Sequence, residues 1–159
     1  MPKYRLLKAD ELKELEKEFV EFLILNGITA DDWLLIKKKD PLKTERLIAL
    51  FSDVVMEGIL RKIKFLEIRG EKFLHIYQCL SDQLVLVAME CKDEQVNFLN
   101  PDFLQSAMLT PPENIQIFTT TKKYTEEREK ELFKLIQSGA LITDDSLFKI
   151  LCLQLPNNN

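Results

Sequence analysis

The sequence has few of the residues on which catalytic and phosphate-binding motifs depend. Its 159 residues include one histidine, His75, and four glycines that do not cluster. A phosphate-binding loop needs several glycines close together, and hydrolase and zinc-protease motifs need histidine at a defined spacing from its partners. The sequence therefore indicates no nucleotide-binding motif and no catalytic triad, and we expect neither a cofactor nor a bound metal.

Cysteine is also scarce, and no two cysteines have the spacing that is typical of metal ligands. Cys79, Cys91 and Cys152 are an odd number, and no two of them form a C-x-x-C pair. This pattern argues against a disulfide framework or a zinc site and favours reduced, mostly buried thiols. We expect no disulfide between any two of them.

Long apolar runs and a signal peptide are missing. The longest apolar runs, Phe22 to Leu25 and Leu84 to Met89, fall far short of the roughly 20 residues that a membrane-spanning helix needs. Residues 1–5 lead into a charged segment without an apolar signal-peptide core. These features predict a cytoplasmic protein that makes no membrane contact.

The chain also lacks an excess of positive charge. Its 22 basic and 26 acidic side chains give a net charge of −4. A nucleic-acid-binding surface usually shows as a basic stripe, and the best candidates are Lys37 to Lys39 and scattered basic residues between Arg61 and Lys72. Both are typical of solvated faces. Nucleic acid is unsupported as a partner, and association with RNA or ribosomes stays only a weaker alternative.

What is present is an ordinary globular composition. Hydrophobic residues make up 46% and charged residues 30% of the chain, and a chain of this length can bury roughly 70% of its unfolded surface. We predict one domain over residues 1–155 and a frayed tail over residues 156–159.

The first third of the chain has helical periodicity. Apolar residues recur every three or four positions from Asp10 onward, and Asn26-Gly27 closes that helix. Thr29 and Asp32 have capping-box spacing for a short second helix. Asp40-Pro41 then opens a long third helix to about Lys62. Its predicted apolar side includes Leu47, Leu50, Phe51, Val54, Val55 and Gly58. A glycine inside a helix indicates that another part of the chain packs closely against that position.

The middle of the chain changes to strand patterns. Segments 64–69, 72–80 and 84–91 are separated by short turns and predict an antiparallel meander. If Leu80 pairs with Leu84, the side chains of Phe73, His75 and Tyr77 share a face with those of Val85, Val87 and Met89. Segment 115–121 predicts a fourth strand, and helices are predicted over 101–107, 125–138 and 146–153. The fold class is α+β, with N-terminal helices, a meander of three to four strands, and C-terminal helices.

One group of polar residues on the third helix has a spacing that suits chemistry. Asp53, Glu57 and Arg61 lie four residues apart along one edge of the apolar stripe. Two carboxylates at that spacing can hold a divalent cation or act as acid and base. The alternative is a salt-bridge ladder worth about 0.2–0.5 kcal/mol per pair.

Two further groups suggest a contact surface. Trp33 lies just after the capping residues, and tryptophan is enriched at binding hot spots. Phe73, His75 and Tyr77 alternate along a strand and so lie on one face of it. For each group the alternative is a structural role in the core, and for the strand face we favour a sheet covered on both sides over an exposed patch.

The chain resembles a family of small Bacteroidota proteins known as a domain of unknown function. The resemblance is carried by residues 3–7, 15–23, 27–33, 51–55, 57–60, 126–133 and 139–140. It covers nearly the whole chain and implies one domain, and it implies no activity, ligand or catalytic residue. The sequence alone favours a non-enzymatic interaction or adaptor module that binds a protein partner or itself. The alternative is a carboxylate-based, metal-dependent enzyme centred on Asp53 and Glu57.

Overall fold

The computed structural model describes residues 1–156 and divides the chain into two compact units. The first unit covers Met1–Arg61, and the second begins at Lys62. The single domain predicted for residues 1–155 stays a prediction, so each unit is described separately below. The frayed tail predicted for residues 156–159 lies outside the described residues, apart from Pro156.

The first unit is helical. It contains α1 (Ala9–Glu14), α2 (Glu16–Leu25), α3 (Ala30–Lys39) and α4, which runs from Pro41 to Lys62. The predicted single helix after Asp10 is divided at Leu15, whose backbone leaves the helical region with φ −101° and ψ 22°. Because the hydrogen bonds from Leu15 N to Glu11 O and from Phe19 N to Leu15 O persist, the division is a bend at one residue.

The caps of the first unit agree with the sequence. Gly27 has φ +75°, a conformation that glycine adopts without steric cost after a helix end. The capping box at α3 is confirmed: Thr29 Oγ1 accepts from Asp32 N, and Asp32 Oδ2 accepts from Thr29 N, each at 3.1 Å. The limits of α4 also match the predicted third helix.

The buried side of α4 differs from the predicted stripe. Leu47 and Phe51 are buried as expected, but Leu50 and Val54 are 55% and 57% exposed. The prediction for those two residues was wrong. Gly58 was also expected to face a close neighbour, and a Cβ built there meets nothing within 4 Å.

The second unit is built on a five-stranded antiparallel sheet. The spatial order of its strands is β4-β3-β2-β1-β5. The strands are β1 (Phe65–Arg69), β2 (Phe73–Cys79), β3 (Gln83–Glu90), β4 (Gln116–Lys123) and β5 (Leu141–Thr143). The helices are α5 (Pro101–Leu109), α6 (Arg128–Gln137) and α7 (Ser146–Leu153). The predicted α+β class and order of elements are confirmed, and β5 is a strand that the sequence did not predict.

The register between β2 and β3 corrects the predicted one. Leu80 N donates to Gln83 O at 3.0 Å, and Cys79 lies opposite Leu84, so the turn holds two residues rather than three. A one-residue shift moves a whole strand's side chains to the other face. His75 therefore lies opposite Ala88, and Tyr77 lies opposite Leu86. The prediction that Phe73, His75 and Tyr77 share a face with Val85, Val87 and Met89 was wrong.

The main core of the second unit lies on the other face of the sheet. Leu74 and Ile76 of β2 pack there with Val87 and Met89 of β3. The buried residues that complete this cluster come from the segment after β3 and from α5 and α7: Cys91, Val96, Phe98, Leu104, Ala107 and Leu151. The cysteines are free thiols, with Cys79 and Cys91 buried and Cys152 exposed.

Arg128 fixes the strand ends at the start of α6. Its guanidinium donates to the backbone carbonyls of Ile63, Cys79 and Leu80. The helix was predicted to begin at a Thr125 cap and instead begins at Arg128. Thr125 N donates to the buried carboxylate of Glu131 at 3.0 Å, so its main role is to hold the segment that precedes the helix.

Candidate functional site: a groove in the first unit

Asp53 binds the N-terminal segment of the chain. Its Oδ1 and Oδ2 accept hydrogen bonds from Lys3 N at 2.8 and 2.9 Å, and Oδ1 also accepts from Tyr4 N at 3.3 Å. One residue earlier on α4, the hydroxyl oxygen of the buried Ser52 accepts from Leu7 N at 3.0 Å. These bonds hold residues 3–7 along α4.

Glu57 completes this attachment. Its carboxylate accepts from the hydroxyl of Tyr4 and lies 3.8 Å from Lys3 Nζ and 3.3 Å from Arg61 Nε. Burial raises the pKa of Tyr4 to about 12, and the hydrogen bond to Glu57 adds to this shift. The structure thus brings Asp53, Glu57 and Arg61 together, with both carboxylates engaged by residues 3 and 4. Within residues 1–156 no three His, Cys, Asp or Glu side chains are placed to share a metal ion.

The attached segment forms one wall of an apolar groove of about 420 Å³. Leu6 lines it together with Leu42 and Leu50 of α4, and these three side chains are 48%, 68% and 55% exposed. The remaining lining residues are Met1, Pro2, Glu45, Arg46, Ala49 and Asp53. The sequence did not indicate this groove, because the helical periodicity of α4 placed Leu50 in the predicted core. The available signal was an excess of apolar positions on α4 beyond those one core stripe can use.

Trp33 belongs to an aromatic cluster of the same unit. Its ring meets that of Phe19 edge-on, with centroids 5.0 Å apart, and Lys37 Nζ lies 5.8 Å from the Trp33 ring centroid. Phe19 and Phe22 in turn contact Phe51, at 4.9 and 5.4 Å. The aromatic cluster as a whole therefore connects α2, α3 and α4.

The strand face of the second unit contains a histidine–carboxylate pair. His75 Nε2 and Glu90 Oε1 lie 2.9 Å apart, and the imidazole packs against the Phe73 ring with their centroids 4.8 Å apart and their planes tilted by 50°. Together with Lys72 and Gln116, they line a cavity of about 540 Å³. A carboxylate-oriented histidine can accept or donate a proton. The predicted register hid Glu90, because it placed that residue on the opposite face from His75.

Tyr77 lies apart from that pair. It lines a second cavity, of about 610 Å³, with Lys122 and Lys134. Those lysines pair with Glu131 and Glu126, at 3.3 and 2.5 Å, and burial raises the pKa of Tyr77. Phe73, His75 and Tyr77 are each half-buried, so they do not form a single exposed patch.

The fold and these sites define a small α+β protein with a helical first unit, an antiparallel sheet and an open apolar groove. No helix within residues 1–156 has both the length and the apolar content required to cross a membrane. Residues 1–155 match the family described as "Family of unknown function (DUF6495)", and the chain belongs to this family. No curated protein and no solved structure is significantly similar to it.

Proposed function

We propose that this protein is an interaction module without catalytic activity, and that the groove of its first unit binds an amphipathic helix of a partner protein. The observation that carries the proposal is the exposure of Leu6, Leu42 and Leu50 around one concave surface. Isolated exposed leucines are ordinary, whereas apolar side chains gathered in a groove are typical of contact sites.

The dimensions of the groove suit a helix. Its lining on α4 extends from Leu42 to Asp53, which corresponds to roughly 16 Å at about 1.5 Å per residue, or three turns. Helix-in-groove recognition uses apolar residues at i, i+3 or i+4, and i+7, which span about 10 Å and so fall within this length. A partner helix of three or four turns therefore fits the groove.

Two other ligand classes fit less well. A membrane-binding surface favours a cationic border, but the border here combines Glu45 and Asp53 with Arg46. A small-molecule site encloses most of its ligand. The leucines that line this groove are about half exposed or more, so the groove stays open to solvent.

In this proposal Asp53 and Glu57 are positioning residues. Their hydrogen bonds with Lys3 and Tyr4 hold the segment that carries Leu6, and Leu6 forms the wall opposite α4. Arg61 supports Glu57 from one turn further along the helix. Binding affinity should therefore depend on both carboxylates, including that of Glu57, which does not line the groove.

A carboxylate-based enzyme centred on Asp53 and Glu57 remains the second candidate, on the strength of their shared helix edge. A thermal-shift screen with Mg²⁺, Mn²⁺ and Ca²⁺ tests it, because a metal at 100 times its Kd stabilises by about 2.7 kcal/mol. A metal-dependent shift that disappears in the double variant Asp53→Ala/Glu57→Ala would favour the enzyme over the interaction module.

We also propose that the protein works in the cytoplasm. Cys152 is an exposed free thiol, and Cys79 and Cys91 are buried free thiols. Thiols persist in reducing compartments, whereas oxidising ones favour disulfides.

The test compares partner capture by matched surface variants. Leu50→Glu places a charge in the groove, and Leu35→Glu is the control, because Leu35 is 54% exposed on α3 and does not line the groove. Tagged wild-type and variant proteins are used for affinity purification with quantitative mass spectrometry, after circular dichroism has shown that both variants are folded.

We expect a defined partner to be retained by wild type and by Leu35→Glu and to be lost at least tenfold with Leu50→Glu. A synthetic helix from that partner should then bind wild type and fail to bind Leu50→Glu. Equal capture by both variants, or binding through a partner segment that is not helical, would contradict the proposal.

A further inference from the structure

We infer that the free edge of β4 pairs antiparallel with β4 of a second copy of this chain, around a two-fold axis at Thr119. This inference goes beyond the proposed function, because it concerns a different unit, a different surface and a different partner. It rests on the exposure of the edge, its composition, the direction of its backbone groups and the register that self-pairing allows.

β4 is an outermost strand with an uncovered edge. All eight of its residues, Gln116–Lys123, pair one to one with β3, so the ladder has no bulge. Seven of the eight are exposed, and only Ile117 is partly buried. No helix or loop of the described chain covers this edge closely enough to bury it.

Most of β4 carries little protection against pairing, because its only charged residues, Lys122 and Lys123, lie at one end of the strand. Natural edge strands usually carry charge, proline or a bulge, or are very short. Residues 116–121 read Gln-Ile-Phe-Thr-Thr-Thr and contain neither charge nor proline, and five of the six favour strands. The opposite edge differs, because β5 has only three residues.

The backbone groups that face the free edge can be identified. Leu80 N donates to Gln83 O, and Cys91 N donates to Lys72 O. In antiparallel pairs the hydrogen-bonded residues alternate, so the odd-numbered residues of β3 bond to β2 and the even-numbered ones bond to β4. The even-numbered residues of β4 are their partners. Ile117, Thr119 and Thr121 therefore direct their N–H and C=O groups outward.

These outward groups match a second copy of the same strand. A two-fold axis perpendicular to the sheet keeps each face continuous, so odd-numbered residues must oppose odd-numbered ones. With the axis at Thr119, that residue forms a hydrogen-bonded pair with Thr119 of the second copy, and Ile117 pairs with Thr121. By symmetry, Thr121 also pairs with Ile117 of the second copy. Each of these three residue pairs exchanges two backbone hydrogen bonds, so the seam between the two β4 strands has six bonds within residues 117–121.

The side chains of β4 suit the same register. Lys122 opposes Gln116 of the second copy, so like charges do not meet, and Gln116 has the acidic Glu90 as its own β3 neighbour. Phe118 is 37% exposed and lies diagonally across the seam from Phe118 of the second copy. Diagonal aromatic pairs are within reach of each other in antiparallel sheets. Pairing thus buries the one aromatic ring on the strand.

The resulting assembly is closed. A two-fold contact uses the same surface on both partners and leaves neither copy free to extend a chain of contacts through β4. The outcome is a dimer with a continuous ten-stranded sheet and the short β5 strands at its ends.

Sedimentation equilibrium in the presence of reductant gives the first test. We expect a mass twice the 18.6 kDa of the chain at micromolar concentration and a monomer for Thr119→Pro. Proline at Thr119 removes an outward N–H and leaves the β3 ladder intact. Thr119→Lys is a second variant, because it opposes two ammonium groups on the axis. Leu50→Glu should leave the dimer intact and so separates this inference from the groove proposal.

Cysteine cross-linking tests the register. In a Cys152→Ser background, Thr119→Cys should form an intermolecular disulfide on mild oxidation, because Cα atoms of a hydrogen-bonded pair lie about 5.5 Å apart. Thr120→Cys should form far less. A wild-type monomer at all concentrations, or a dimer that survives both Thr119→Pro and Thr119→Lys, would overturn the inference. Cross-linking through Thr120→Cys alone would overturn the Thr119 axis.

Discussion

The backbone N–H of Lys3 donates to both carboxylate oxygens of Asp53, at 2.8 and 2.9 Å, across fifty positions of sequence. A side chain in the middle of a long helix thereby fixes a segment that has no regular secondary structure of its own. The spacing of Asp53 and Glu57 on the helix edge follows from this task, because the two carboxylates meet consecutive residues of the segment, Lys3 and Tyr4.

Replacing Asp53 should therefore release the N-terminal segment. In Asp53→Ala we expect faster amide hydrogen exchange for residues 3–5 with α4 unchanged, and a loss of about 1 kcal/mol in the free energy of unfolding. Hydrogen–deuterium exchange with mass spectrometry measures this. Asp31→Ala, in the first turn of α3, is the control and should leave residues 3–5 protected. Unchanged exchange in Asp53→Ala would show that other contacts suffice to hold the segment.

Phe51 should be a major source of stability in the first unit. It is 2% exposed and contacts the rings of Phe19 and Phe22. Phe51→Ala should cost about 3–5 kcal/mol, because it removes buried area and leaves a cavity. The adjacent Leu50 is 55% exposed, and Leu50→Ala should stay within about 0.5 kcal/mol of wild type. Urea denaturation of both variants compares them, and similar midpoints would contradict the burial assigned to Phe51.

Gly58 offers a stabilising substitution. It lies inside α4, it does not need a positive φ, and an added Cβ would meet no atom within 4 Å. Alanine in a helix interior is favoured over glycine by about 0.5–1 kcal/mol. Gly58→Ala should raise the free energy of unfolding by that amount in chemical denaturation. A destabilised variant would mean that a contact at this position is closer than the structure shows.

The free energy of unfolding should fall at alkaline pH, because the thiol of Cys79 ionises more readily in the unfolded chain than in the folded one. Burial raises the pKa of the Cys79 thiol to about 11, above the value of about 8.5 for an unfolded thiol. The folded state thus favours the protonated form, and this contribution is complete below about pH 8.5 and lost as the pH rises to about 11. Urea titrations at pH 8, 9.5 and 11 should show the decline, and Cys79→Ala should flatten it. An identical slope in the variant would assign the decline to other groups.

Local sequence signals predicted most of the elements. The capping box at Thr29, the proline after Asp40 and the Asn100-Pro101 pair each mark a helix start, because the cap acts within one turn. Asn100 Oδ1 indeed accepts from Asp102 N and Phe103 N. The bend at Leu15 was not predictable in this way, because neither proline nor glycine occurs there.

Non-local pairing was harder to predict. Both faces of β2 and β3 are apolar, so the alternation of residue types could not distinguish a two-residue turn at Ser81-Asp82 from a three-residue one. The error concealed the His75–Glu90 contact. β5 is only three residues long, and its pairing partner β1 lies far away in sequence. The groove was missed for a related reason, since residues 3–7 had no pattern that joined them to α4.

The pairing of β5 with β1 also has a consequence during synthesis on the ribosome. Phe65 emerges long before its partner Thr143, and at about 5–20 residues per second the interval is roughly 4–16 s. Hairpin formation takes only microseconds, so β1, β2 and β3 can pair while the outer side of β1 still lacks its neighbour. For those seconds the outward backbone N–H and C=O groups of Phe65 and Glu67 lack their partners on β5 and can pair with another extended segment. A nascent chain that stalls before residue 141 would keep this edge unpaired, which makes it a suitable substrate for chaperones that bind incompletely folded chains.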